Sequence, residues 1–242
     1  MYKIALQAQQ ARLANSYFLY DAAVVSLPAD SFFEADRWAK EGALLMTAEG
    51  RGAATIFAFG EREYVLRHYR RGGLMARLSD DKYRWSGLAQ TRPWRVWFLL
   101  GEMYQQGLPV PRPVAARVVR YGLFYTADLV TQRLPQVEPF ADLLMARSLS
   151  GEQWHDVGAT IRRFHRAGFY HADLNARNIL IDTSGNVFLI DFDKGEQRTP
   201  ASRWQDENLE RLRRSLLKFQ KSRPQFWFDE TCWYQLLQGY GG

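Results

Sequence analysis

The chain has 242 residues, 47% of them hydrophobic, with 32 Lys and Arg against 26 Asp and Glu, a formal net charge of +6 and a pI near 9.5. That length can bury one sizeable core or two small ones, and the charge suits an anionic partner: a phosphorylated substrate, an acidic membrane surface or nucleic acid. The single Cys232 excludes an intramolecular disulfide framework, no run approaches the roughly 18 apolar residues of a spanning helix, and the start (MYKIALQAQQ) lacks the apolar stretch of a signal peptide.

The first thirty residues are mixed and give no chemistry. Asp30-Ser31 predicts an N-cap for an aromatic helix from Phe32 to Lys40, stopped at Gly42. Leu44 to Thr47 and Thr55 to Phe59 read as strands around a Gly50-Arg51-Gly52-Ala53-Ala54 turn. Glycines let backbone amides approach phosphates with no side chain between, which makes Gly50, Arg51 and Gly52 candidates for covering a nucleotide; a two-glycine turn is also simply a hairpin. Glu63 to Tyr69 alternates as a third strand. Its Arg67 either grips phosphate bidentately or is one more solvated Arg. From there to Arg84, the cations Arg70, Arg71, Arg77, Lys82 and Arg84 interleave with Tyr69, Tyr83 and Trp85 around Gly72-Gly73, as a headgroup-binding surface or a solvated charge run.

After Pro93, Trp94 to Gln106 is predicted helical, with Trp94, Trp97, Phe98, Leu100 and Met103 apolar. Pro109, Pro111 and Pro113 force an extended connection into strands Val114 to Arg120 and Leu123 to Thr131. Ser150 with Gln153 makes a capping box for a helix that ends at Gly168 and buries Trp154, Val157, Ile161 and Phe164. His155 and His165 on it read as structural.

The densest chemistry follows. Asp173 and Asn178 stand five apart and Asp191 eighteen beyond Asp173; two apolar runs, Ile179 to Ile181 and Val187 to Ile190, flank a turn at Thr183 to Asn186. Asp and Asn near turns often serve as caps. The whole spacing, however, resembles the protein-kinase layout of H-R-D-x-x-x-x-N, a β-hairpin and D-F-G. In that layout Asp173 accepts the proton of the incoming hydroxyl, Asn178 and Asp191 hold Mg²⁺, Arg177 neutralises the γ-phosphate of ATP, and Arg67 holds the inner phosphates. His171 reads as a packed residue that steadies the loop. Ala172 replaces the Arg that clasps a phosphorylated activation loop, so that form of switching is not expected; Asp193 replaces the Gly of D-F-G. Thr131 to Pro135 falls at the hinge, where Gln132 and Leu134 offer backbone groups to adenine. The layout also calls for an acid opposite Arg67 near position 96, which is Val96; Glu102 lies about 240° further round the helix.

Asp206 to Lys221 is predicted to be an amphipathic helix, with Leu209, Leu212, Leu216 and Phe219 inward and Arg211, Arg214, Lys218 and Lys221 outward, either solvated or resting on anionic lipid. The aromatics Phe226, Trp227, Phe228, Trp233 and Tyr234 close the core or rim a groove. The histidines and the cysteine show no zinc-ligand spacing, and no nucleic-acid motif is present.

Taken together, Gly50-Arg51-Gly52, the run Val65 to Leu74 (VLRHYRRGGL), Gly107 to Pro113 (GLPVPRP), His171 to Asn178 (HADLNARN) and Ile190 to Gly195 (IDFDKG) resemble the 3-deoxy-D-manno-octulosonic acid (Kdo) kinases of the lipopolysaccharide kinase group. The resemblance implies an α+β, protein-kinase-like bilobal fold: an antiparallel-sheet N-lobe over 1–132 and a mainly helical C-lobe over 133–242, one kinase-like domain overall. It implies ATP with Mg²⁺, and a Kdo-bearing lipid A precursor phosphorylated on the Kdo 4-hydroxyl by a peripheral protein on the cytoplasmic side of a Gram-negative inner membrane. Other readings are a kinase of another small molecule or of a protein, and a scaffold that binds nucleotide without transfer. Cationic acceptors such as aminoglycosides fit the basic balance poorly, and retained Asp173, Asn178 and Asp191 oppose the scaffold.

Overall fold

The computed structural model describes residues 5–48, 54–69 and 81–241. They fall into two compact units, the first made of residues up to Gln105 with Pro111–Arg133, the second of Gln106–Val110 with the chain from Leu134.

The first unit contains β1 (Ala8–Leu13), β2 (Ser16–Asp21), α1 (Ala35–Lys40), β3 (Leu44–Ala48), β4 (Ala54–Phe59), β5 (Arg62–His68), β6 (Tyr83–Arg84), α2 (Arg92–Gln105), β7 (Pro113–Tyr121) and β8 (Phe124–Gln132). Its strands form one antiparallel sheet in the order β1-β2-β7-β8-β5-β4-β3, with β6 also on β8. Two of these strands, β1 and β2, lie in the first thirty residues, which as sequence are mixed and give no chemistry. β1 reads AQQARL and is an exposed edge, which is why no alternation announces it. The expected Phe32–Lys40 helix is also corrected. Asp30–Phe33 forms a 3₁₀ turn, Glu34 is extended, and only then does α1 begin, so that Phe32 and Phe33 both turn inward and Ser31 caps nothing. Trp38 stacks on Phe57 at 4.1 Å between ring centroids, with Phe32 edge-on to both.

Two buried acids tie this unit together. Asp21 in β2 accepts from Arg112 Nε at 2.7 Å and from the amides of Gln7 and Ala23; both partners of the ion pair are almost wholly enclosed, at 0% and 3% exposure. Asp128 in β8 pairs with Arg117 Nε at 2.9 Å and His68 Nδ1 at 2.7 Å.

The second unit contains β9 (Val137–Pro139), α3 (Phe140–Ala146), α4 (Gly151–Arg166), β10 (Phe169–Tyr170), β11 (Ile179–Asp182), β12 (Val187–Leu189), β13 (Glu196–Gln197), α5 (Ser202–Ser222) and α6 (Glu230–Gly241). The sheet order is β12-β11-β9, and β10 pairs with β13. Gln106–Val110 is held here because the Leu189 amide donates to Pro109 O and Arg163 Nη2 to Gly107 O. α4 starts on the expected capping box, with Gln153 N bonded to Ser150 Oγ and Ser150 N to Gln153 Oε1. It packs against α6 with backbone nearly touching backbone: a Cβ on Gly158 would lie 1.9 Å from Leu236 O, and one on Gly239 would lie 1.9 Å from His155 O. Of the C-terminal aromatics, Phe228 and Trp233 are buried, while Trp227 and Tyr234 stay exposed. Among the described residues no helix is long and apolar enough to cross a membrane.

Candidate active site

The loop that carries Asp173 is built from its own backbone outward. Gly168, at φ +81°, leads α4 into β10, and a Cβ there would fall 2.4 Å from Arg198 O, so only glycine fits. His171 is buried; its Nε2 lies 2.8 Å from Ile190 O, and its Nδ1 lies 3.1 Å from the Asp173 amide. A carbonyl only accepts and an amide N–H only donates, so the imidazole is neutral with its proton on Nε2. The carbonyl of Asp173 in turn accepts from Asn175 Nδ2 and Asn178 Nδ2, each at 2.9 Å. His171 is thus the steadying residue that the sequence suggested.

α5 grips this loop along one flank. Residues three and four apart share a helix face, and Asn208, Arg211, Ser215 and Phe219 recur at 3, 4, 4. Asn208 Oδ1 accepts from the His171 amide at 3.2 Å, Arg211 Nη1 lies 3.2 Å from Asp173 Oδ1, Ser215 Oγ accepts from the Ala176 amide at 3.3 Å, and the Phe219 ring lies under the Arg177 guanidinium at 5.3 Å. Arg211 therefore does not belong to an outward stripe; only Arg214, Lys218 and Lys221 of that set project away. The long side chain reaches past the buried Leu212 to the loop that Asn208 has already fixed.

The hairpin of β11 and β12 sets the second half of the site. Ile190 N donates to Asn178 O at 3.0 Å, which holds the start of the Asp191 segment beside Asn178. Phe192, fully buried, packs on Phe164 and on the His171 ring at 4.5 Å between centroids. Asp191 has φ +63° and Lys194 φ +64°. Non-glycine residues adopt that region sparingly, and such residues gather at functional sites. Asp173, Asp191, Asp193, Lys194, Arg211 and Ala172 line one pocket of about 350 Å³.

Asn178 uses its Nδ2 on the loop, so its Oδ1 is the end left for a cation, and Asp191 supplies a carboxylate; one amide and one carboxylate oxygen suit Mg²⁺, which completes its shell with water and phosphate. Among the described residues no three His, Cys, Asp or Glu side chains converge as a metal cage.

The other candidates lie as follows. Arg177 does not line the pocket: its guanidinium rests on Phe219 and faces Asp142 Oδ1 at 3.9 Å, both on the α3 and α5 side. Arg67 sits in β5 opposite Ala54 and Leu129. Val96 is buried in α2, an apolar position in the core. The Gln132 amide donates to Arg112 O, while the amide of Leu134 has no bond among the described residues. Gly50, Arg51 and Gly52, and the basic run Arg70, Arg71 and Arg77, lie outside the described residues.

The sequence profile of the lipopolysaccharide kinase (Kdo/WaaP) family matches residues 35–240. The chain belongs to that family. Among curated relatives, the 3-deoxy-D-manno-octulosonic acid kinase of Xanthomonas campestris pv. campestris (strain B100) is 47% identical over 191 residues, 79% of this chain and 76% of that one. Those named the same in Mannheimia succiniciproducens and Vibrio vulnificus (strain CMCP6) are 39% and 37% identical, each over 96% of this chain and 98% of their own. Membership makes this protein a phosphotransferase acting on a hydroxyl, with the α+β, protein-kinase-like fold of the Kdo/WaaP kinases.

Around the Asp173 loop, two histidines are kept neutral. Burial pushes the His165 imidazole down to about 4, against the bond to Asn208, and burial also lowers His171. Asn208 Oδ1 must accept from the His171 amide, so His165 Nε2 donates to it at 3.4 Å, and His165 Nδ1 accepts from Tyr240 Oη at 2.8 Å. The Tyr240 hydroxyl is pushed up to about 12, chiefly by burial, and stays protonated for that bond. Between about pH 4 and 6.5 the unfolded chain binds a proton at position 165 that the fold excludes. The stabilisation is therefore complete above about pH 6.5 and is lost as pH falls toward 4. Urea unfolding is expected to lose about 2 kcal/mol from His165 between pH 7.5 and pH 5. His165→Gln should flatten that part of the profile; an unchanged slope would place the pH dependence elsewhere.

Proposed function

We propose that this protein transfers the γ-phosphate of ATP to the 4-hydroxyl of Kdo on a lipid A precursor; its relatives' name supports the sugar as acceptor. The observation that supports this most is the pocket where Asp173 and Asp191, eighteen residues apart in sequence, stand with Arg211 and Lys194. Asp173 would orient the acceptor hydroxyl and take its proton, while Lys194 offsets charge on the transferred group. Mg²⁺, on Asn178 and Asp191, would neutralise phosphate oxygens when bound. The first unit would act as the nucleotide-gripping lobe, with Gly50 to Gly52 and Arg67 on phosphates and the backbone of Gln132 and Leu134 toward adenine, and the second as the catalytic lobe. Arg177, turned to Asp142 and Phe219, would support the loop.

We place the protein on the cytoplasmic side of the inner membrane as a peripheral enzyme. The net charge of +6 and the exposed Arg214, Lys218 and Lys221 on α5 favour an anionic surface. The test is transfer from γ-labelled ATP with Mg²⁺ to Kdo-bearing lipid A precursor, beside the same lipid without Kdo. Label is expected on the first alone. Equal labelling of both, or of neither while ATP is bound, would refute the reading.

A further inference from the structure

We propose that Arg211 is the residue that recognises the acceptor's sugar carboxylate, a role that rests on the Kdo-kinase reading above. Only Nη1 of its guanidinium faces Asp173 Oδ1, at 3.2 Å. No further hydrogen bond or ion pair of the fork is found among the described residues, and the side chain remains 43% exposed while lining the pocket. A guanidinium presents five donors in a planar fork, so one edge holds the carboxylate of Asp173 while another is presented to a second oxyanion. The proposed acceptor has such a group. An octulosonic acid carries its carboxyl at C1 next to the ketose carbon C2, two ring carbons from the hydroxyl at C4. The assignment places that hydroxyl on Asp173 and the carboxylate of the same ring on the guanidinium that faces it.

The alternative source of a matching charge, Lys194, is a point donor in a segment with left-handed backbone and lacks the fork. The anchoring of α5 also favours Arg211. Asn208 and Ser215, one turn to either side, are bonded to the loop that carries Asp173, so the α5 backbone at Arg211 is held beside that loop. An acidic sugar that meets both is held by its ring at two points, which selects it over neutral sugars of the same shape.

The experiment uses the purified full chain with ATP and two acceptors: Kdo-bearing lipid A precursor and the same lipid with the Kdo carboxyl converted to a carboxamide. The unaltered protein should favour the acid by about 10–100-fold in kcat/KM, mostly through KM. In Arg211→Gln the acid-to-amide ratio should fall toward one, and Arg211→Lys should retain part of it. Exposure of the side chain argues that these variants fold, and the thermal midpoint checks it. A residue that acted only through Asp173 would lower both acceptors alike, so an unchanged ratio in Arg211→Gln overturns the assignment. No transfer to either acceptor by the unaltered protein would instead overturn the Kdo-kinase reading, and the assignment with it.

Discussion

Asp173→Asn is expected to lower phosphate transfer by about 10²–10⁴-fold while leaving nucleotide binding intact, the size of effect that loss of a positioned base produces. The substitution is nearly isosteric, and the loop's own bonds run through the backbone of residue 173: its amide to His171 Nδ1 and its carbonyl to Asn175 and Asn178. None of these needs the carboxylate. What disappears is the ability to take a proton and the charge that faces Arg211. Transfer to the Kdo-bearing lipid should therefore collapse in kcat, with thermal stability and binding of an ATP analogue near those of the parent. Activity within tenfold of the parent would move the base to another pocket carboxylate.

The largest loss of stability is expected far from the pocket, at Asp21→Asn. The substitution leaves the Arg112 guanidinium enclosed without its counter-charge, and removing one member of a buried pair typically costs about 3–5 kcal/mol. For a chain of this length that corresponds to a thermal shift of roughly 6–20 °C. Asp21→Asn combined with Arg112→Met should recover part of it, because the double change removes the orphaned charge as well. A midpoint within about 2 °C of the parent in the single variant would show that the pair is solvated in practice.

Arg112 stands in the run GLPVPRP, which in sequence signals only an extended connection; its partner, ninety-one residues earlier, sits in a stretch that reads as featureless. Long-range pairs of this kind leave no local period. By contrast, the capping box of α4, the two runs of the β11–β12 hairpin and the strands β3, β4, β5, β7 and β8 were legible because each is decided by neighbours in the chain. The site was half legible for the same reason. Spacing alone picks out Asp173, Asn178 and Asp191. Arg211 was hidden, because a charge beside an apolar stripe reads as solvated until the loop it meets is known. Asn208 and Ser215, at three and four residues on either side of it, were the available signal. Arg177 shows the converse: its place in the motif suggests the phosphate, but an aromatic face and an acid on neighbouring helices hold it elsewhere.

The glycine contact between α4 and α6 bears on how the second unit comes to exist. Gly158 and Leu236, like Gly239 and His155, approach within backbone distance across roughly eighty residues of chain, and all of the Asp173 loop, the hairpin and α5 lie within that span. Contacts so distant in sequence close late and slowly, since the intervening chain must be ordered before they form. During synthesis the α6-facing side of α4 would wait through the whole of that span, while Trp154 can already meet Phe140 of α3. The uncovered glycine-bearing side is then the part of the second unit exposed longest to intermolecular association.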